Sequence, residues 1–179
     1  MKFGPYDVKK VMPLYKKREE KSKMRKIPIL CVVGVSSSGK TSFIERLIPE
    51  LKRKGLKIAV IKHDPHDRFE IDRPGKDSWR IKKAGADISI ISSPNRIALQ
   101  MDVDHDHDPV EILEYIPKDI NLVLAEGYKS SLHPKIEVVK KGNKPICKDD
   151  PNLIAVIGEE EKKSQIKEIT EFIIKKLGL

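Results

Sequence analysis

Cysteine is scarce in this chain. It has two among 179 residues, Cys31 and Cys147, far apart in the sequence. Cys31 lies inside an apolar run and there is no CxxC pair, which excludes a disulfide framework and a cysteine-based metal site. Long apolar runs are missing too: none reaches the ~18 residues that a membrane-spanning helix needs. The amino-terminal segment carries Lys9, Lys10, Lys16, Lys17 and Arg18 instead of the apolar stretch of a secretory signal, so the expectation is a cytoplasmic protein. Internal repeats and low-complexity segments are absent.

Basic residues are in excess, with a formal net charge of +9. The excess is uneven. Residues 1–26 hold ten lysines and arginines against three acids, a net of +7, which leaves +2 for residues 27–179. The basicity therefore belongs to an N-terminal extension, helical or loosely ordered, and the remainder is nearly neutral. No aromatic stacking pattern accompanies the basic run, so it reads as a solvated segment rather than a nucleic-acid contact. With 39% hydrophobic residues, the chain can fill one core of ordinary size. The expected organisation is an extension over 1–26 followed by a single domain over 27–179.

Within that domain, Ile29-Leu30-Cys31-Val32-Val33-Gly34-Val35 is short, continuous and β-branched, as a parallel strand buried on both faces should be. From Thr41 to Lys54, Phe43, Ile44, Leu47, Ile48 and Leu51 recur at helical spacing, and Gly55 supplies the stop. Lys57 to Lys62 reads as a strand, about Lys76 to Ala84 as a helix, and Asp87 to Ser93 and Arg96 to Met101 as two strands. Only Pro94 and Asn95 separate that last pair, which suggests a tight turn and an antiparallel hairpin. Pro109 opens a helix to about Tyr115, Asn121 to Glu126 is a buried strand, and Lys135 to Val139 and Leu153 to Ile157 are short strands. An amphipathic helix from about Glu160 to Leu177 ends the chain. Strands alternating with helices predict an α/β fold of the P-loop NTPase type, a mostly parallel sheet flanked by helices with a hairpin insertion.

Gly34-Val35-Ser36-Ser37-Ser38-Gly39-Lys40-Thr41 matches G-x-x-x-x-G-K-[ST] at every fixed position. The match stands between a strand and an amphipathic helix, the setting that aims loop N–H groups and the helix N-terminus at phosphate oxygens. Gly34 and Gly39 permit close backbone approach, Lys40 reaches the β- and γ-phosphates, and the Thr41 hydroxyl can ligate Mg²⁺. Ser36, Ser37, Ser38 and Ser42 contribute backbone N–H groups. A serine-rich turn capping a helix would explain the serines but not Lys40 between Gly39 and Thr41. Mg²⁺ also needs a nearby carboxylate. Glu126, ending the strand Leu122-Val123-Leu124-Ala125, is the first choice, and Asp64, just past the strand ending at Lys62, is the alternative; both could act, one directly and one through water.

Further blocks are specific. Lys62-His63-Asp64-x-His66, Asp72-x-Pro74-Gly75-Lys76-Asp77-Ser78-x-Arg80, Ala84-Gly85-Ala86, Glu126-Gly127-Tyr128-Lys129 and Pro134-Lys135-Ile136-Glu137 occur in order after the P-loop. Together they make residues 27–160 resemble the molybdopterin-guanine dinucleotide biosynthesis protein B (MobB) family. The resemblance implies a GTP-binding protein, a homodimer with weak GTPase activity; Mg²⁺ as cofactor follows from the P-loop. It implies assistance to a partner guanylyltransferase that attaches GMP to molybdopterin. Nothing carries over to residues 1–26. From the residues themselves, the polar block 63–80 is a candidate substrate or switch loop. In it Asp72, Lys76, Asp77 and Arg80 could bind phosphate or brace one another as ion pairs. His63 could touch phosphate or serve as a hydrogen-bonded structural residue. Lys129 and Lys135 could face an anionic pterin phosphate or nucleotide, or be ordinary surface lysines.

Other signals are weaker. The run Asp102-Val103-Asp104-His105-Asp106-His107-Asp108 offers metal ligands, but it reads better as an exposed loop leading into a helix at Asp-Pro. Lys148-Asp149-Asp150 carries part of a guanine-recognition pattern, with Cys147 standing where Asn or Thr is expected. No nucleophile elbow marks a hydrolase, no glutamine or arginine is assignable to water activation, and Trp79 reads as packing. Two other function classes share the P-loop. A small kinase or ATPase acting on a phosphorylated metabolite would want an arginine-rich lid, which is not evident. A nucleic-acid-associated ATPase would use the basic extension.

Overall fold

The computed structural model describes residues 27–67, 69–158 and 163–179. The basic extension expected over 1–26 and the expected start of the last helix at Glu160 lie outside the described residues. The elements are β1 (Ile29–Val33), α1 (Lys40–Arg53), β2 (Ile58–Lys62), α2 (Asp77–Lys83), β3 (Ile88–Ser93), β4 (Arg96–Met101), α3 (Pro109–Ile112), β5 (Leu122–Glu126), β6 (Lys135–Val139), β7 (Leu153–Gly158) and α4 (Lys163–Leu177). A 3₁₀ turn, Leu113–Tyr115, continues α3, so the single helix expected from Pro109 is one α-turn followed by a tighter one.

Five strands form one parallel sheet in the order β2-β5-β1-β6-β7, while β3 and β4 pair antiparallel in a sheet of their own. The fold is thus α/β with a separate hairpin. Strand β1 is central, bonded to β5 on one side and β6 on the other. Its five residues are all buried, and the two-residue period divides them between two cores. Leu30 and Val32 face Phe43, Leu47 and Leu51 of α1 and Ile166 and Ile173 of α4. Ile29, Cys31 and Val33 face the other side, with Ile61, Val123 and Ala125. Each fully buried Leu or Phe there contributes about 2 kcal/mol of apolar transfer.

The strand order reverses at β1. The chain leaves β1 through α1 toward β2 at one edge, then returns through β5 and crosses to β6. Carboxyl ends of β1 and β5 therefore open side by side at the point where open α/β sheets place ligands. Register brings Val32 opposite Glu126, and the N–H of Gly127 donates to Val32 O at 3.0 Å. The sequence fixes both ends of this arrangement: Gly34 lets the chain turn out of β1, and Gly127 does the same after β5, with φ of +145° and +103°.

Candidate nucleotide site

A cleft of about 1130 Å³ lies over those strand ends and takes in Gly34, Ser36, Ser37, Ser38, Gly39, Lys40, Thr41 and Ser42, all the residues expected to hold phosphate. Helix α1 begins with Gly39 in the left-handed region (φ 90°), and among the described residues no side chain caps its first turn. Its leading N–H groups, orphans in any helix, are left to a ligand. Gly34 is packed tightly: a Cβ there would stand 2.3 Å from Val138 O and 2.6 Å from Ser38 Oγ. Ser38 is fully buried, and its Oγ has no hydrogen-bond partner among the described residues. A buried hydroxyl without a partner is costly unless an acceptor arrives, and it lines this cleft. The loop fits an anion.

Lys40 folds over the loop, its Nζ donating to Val35 O at 2.8 Å. Partial burial pulls its pKa down and Glu126 opposes that shift, while Lys129 and Lys62 add to it. Three lysines thus bear on one cleft, a positive field matched to phosphates. The Thr41 hydroxyl donates to Glu126 Oε1 at 3.0 Å. Of the two carboxylates weighed for the metal, Glu126 meets Thr41, whereas Asp64 accepts from the His66 N–H at 3.1 Å and does not line the cleft. A hydroxyl beside a carboxylate is the hard oxygen donor set that Mg²⁺ takes.

The far wall carries residues that sequence reasoning missed. Asp106 and Asp108 reach the cleft from the loop after β4. Asp106 holds His63 through both carboxyl oxygens at 3.0 Å, and Tyr128 stacks on the same ring at 4.6 Å. Burial, reinforced by Asp106 and Asp108, pushes the Tyr128 phenol up to about 12. His63 is therefore a braced wall residue. Asp108 contacts His133 at 3.3 Å and caps α3, its side chain accepting from Val110 N while Glu111 accepts from Asp108 N. Only that capping role was legible, from Asp before Pro.

Other candidate residues lie away from this cleft. Asp72, Lys76 and Asp77 line a separate shallow depression with Ile71, Arg73 and Ser78, and neither they nor Arg80 lines the cleft. Lys135 is no surface lysine. It is 1% exposed and bonds Ser131 O and Asp150 Oδ2, the latter at 2.6 Å. Asp150 is thereby committed to Lys135 and to the Asn152 N–H, which lower its pKa, and is not placed for base recognition. Glu137, also buried, accepts from the N–H groups of Ile146 and Cys147. Both belong to a buried polar seam under the 140–150 loop. Among the described residues Trp79 joins neither core cluster: it lies under Lys83, whose Nζ is 5.9 Å from the ring centroid, in a helix with no buried residue.

A model of the family "Molybdopterin guanine dinucleotide synthesis protein B" (MobB) matches residues 29–159. The chain belongs to the MobB family. It is 38% identical over 136 residues to a molybdopterin-guanine dinucleotide biosynthesis adapter protein of Haemophilus influenzae, covering 73% of this chain and 74% of that one. The Escherichia coli adapter protein is 35% identical over 119 residues, 65% of this chain and 67% of its own. A crystal structure of molybdopterin-guanine biosynthesis protein B superposes with a TM-score of 0.68 at 32% identity, over 84% of this chain and 99% of the other. Bacillus subtilis MobB, 22% identical with a TM-score of 0.64, shares the fold. The family match takes in the P-loop, Glu126 and the 63–80 block alike.

Proposed function

We propose that this chain binds GTP with Mg²⁺ in the cleft over β1 and β5 and acts as a nucleotide-dependent adapter in molybdopterin guanine dinucleotide synthesis. Family membership, with relatives named as adapter proteins, assigns it to molybdenum cofactor biosynthesis. What supports the nucleotide is a single convergence: Thr41 and Glu126, 85 residues apart in sequence, meet at 3.0 Å beside the uncapped start of α1. In this reading the loop amides and Lys40 hold the phosphates, Ser38 donates to an oxygen, and Thr41 and Glu126 hold the metal. Mg²⁺ supplies charge neutralisation of the phosphates. Neither arginine nor glutamine is among the described residues lining the cleft, so turnover is expected to be slow. The partner is the guanylyltransferase of that synthesis or molybdopterin itself, presented beside the bound nucleotide. In this reading the adapter is a homodimer, and Ile88, Ile90, Ile97 and Leu99, exposed on β3 and β4, supply its contact surface.

Calorimetric titration with GTP and ATP, each with and without Mg²⁺, tests the reading. Tighter GTP binding that strengthens with Mg²⁺, together with slow hydrolysis, supports it. ATP preference turns the site toward a kinase, and no triphosphate binding at all removes the proposal.

A further inference from the structure

The loop between β4 and α3 gathers a cluster that the phosphate site does not use. Sequence alone reads 102–108 as an exposed loop; the fold adds Glu111, one turn into α3. One ligand atom each of His105, His107 and Glu111 lies within 4.8 Å of the others. The two imidazoles stack at 4.3 Å with an interplanar angle of 22°. His107 Nδ1 is 3.1 Å from the carbonyl of His105, which only an N–H can satisfy, so in the neutral ring Nε2 carries the lone pair. His105 is gripped at both nitrogens: Nδ1 lies 2.7 Å from Asp104 Oδ1 and Nε2 lies 2.9 Å from Glu111 Oε1.

A neutral imidazole has one N–H and cannot satisfy two carboxylates. The second contact needs a cation between nitrogen and oxygen, either a proton or a metal ion. The surroundings prepare the metal alternative. Asp104 on Nδ1 is the carboxylate–histidine pairing that orients a metal-binding imidazole. The other Glu111 oxygen is fixed at 2.9 Å by the Asp108 N–H, so the helix cap holds the carboxylate with Oε1 toward His105. Two nitrogens and one oxygen form a borderline donor set, suited to zinc, cobalt or nickel and poorly suited to Mg²⁺. Ligand atoms of tetrahedral zinc stand roughly 3.3 Å apart, within small rotamer adjustments of the spacing here.

We propose that His105, His107 and Glu111 form a binding site for a divalent transition metal of the zinc class, oriented by Asp104 and distinct from the Thr41–Glu126 position. Three protein ligands leave a fourth position open. His107 also lines the nucleotide cleft, so the ion stands on its rim. The site does not depend on the nucleotide reading.

The test is titration of the chelator-stripped full chain with Zn²⁺ in millimolar Mg²⁺, which fills oxygen-only sites, followed by Co²⁺ absorption to report coordination. One ion per chain is expected, with His105→Ala and His107→Ala each weakening it about tenfold or more. Glu111→Gln should weaken it similarly, because glutamine preserves the capping acceptor while removing the charged ligand; an unchanged far-UV spectrum would show that the cap survives. No micromolar Zn²⁺ binding would overturn the proposal, leaving a protonated His105 between its carboxylates. So would binding that survives His105→Ala/His107→Ala or is lost instead with His66→Ala or His133→Ala.

Discussion

At the scale of single residues, the proposed site divides its work between Lys40 at the phosphates and Glu126 at the metal, and their substitutions should separate. Lys40→Ala removes a charge-assisted contact to phosphate and should cost about a hundredfold in triphosphate affinity while the fold, read by circular dichroism, stays intact. Unchanged affinity in the folded variant would displace the phosphate site. Glu126→Gln should instead raise the Mg²⁺ concentration needed for half-maximal nucleotide binding about tenfold, with little change in its absence. If Asp64→Asn produced that effect and Glu126→Gln did not, the metal carboxylate would be the other one. Cys31 offers a test of the core beneath the site. Burial raises its thiol from the ordinary 9.0 to about 11, against smaller lowering contributions from Ser131 and Lys135. The fold favours the protonated thiol, so on raising pH the unfolded chain loses its proton first. Stability contributed by Cys31 is complete below about pH 9 and falls between pH 9 and 11, by roughly 2 to 3 kcal/mol. Urea unfolding across that range should show the loss in the wild type and a correspondingly smaller loss in Cys31→Ala.

At the scale of elements, legibility follows the range of the physics. Strand β1, the P-loop and α1 were readable because their signals are local: a β-branched run, fixed glycines and a 3.6-residue apolar period. The hairpin was readable from Pro94-Asn95 between two strand-like runs. Lys135 and Asp150 were not, because Lys135 looks like any surface lysine until β6 is enclosed by β7 and Asp150 arrives to bond it at 2.6 Å. Asp106 and Asp108 were missed as cleft residues for the same reason. Their loop reaches the wall only once β3 and β4 have turned back on themselves, and no spacing rule relates residue 106 to His63. The cap on α3 joins these levels, since Asp108 both starts the helix and faces the cleft. Asp108→Ala should cost about 1 kcal/mol in urea unfolding, and it frees His133. Asp108→Asn, which retains the capping oxygen, should recover most of that loss; equal losses in both variants would show that capping is not what Asp108 contributes.

At the scale of the molecule, the separate hairpin is the feature least explained by one chain. Pairing puts Ile88 opposite Met101, Ile90 opposite Leu99 and Ser92 opposite Ile97, so these six share one face, and the other is mixed, with Ile91 and Ala98 between Ser89, Ser93, Arg96 and Gln100. The apolar face is open: Ile88, Ile90, Ile97 and Leu99 are 43 to 74% exposed. A two-stranded sheet is marginal alone, and an apolar face of this kind normally meets a partner surface. A second copy would supply a matching one, because a two-fold axis brings identical patches together. The prediction is a dimer by light scattering at micromolar concentration, which Ile90→Lys/Leu99→Lys converts to monomer. Because the hairpin stands apart from the parallel sheet, that variant should keep the nucleotide affinity of the wild type while losing any adapter function that requires two cleft-bearing domains on one scaffold. A wild-type monomer, or a dimer untouched by the double substitution, would instead assign the apolar face to a different partner protein.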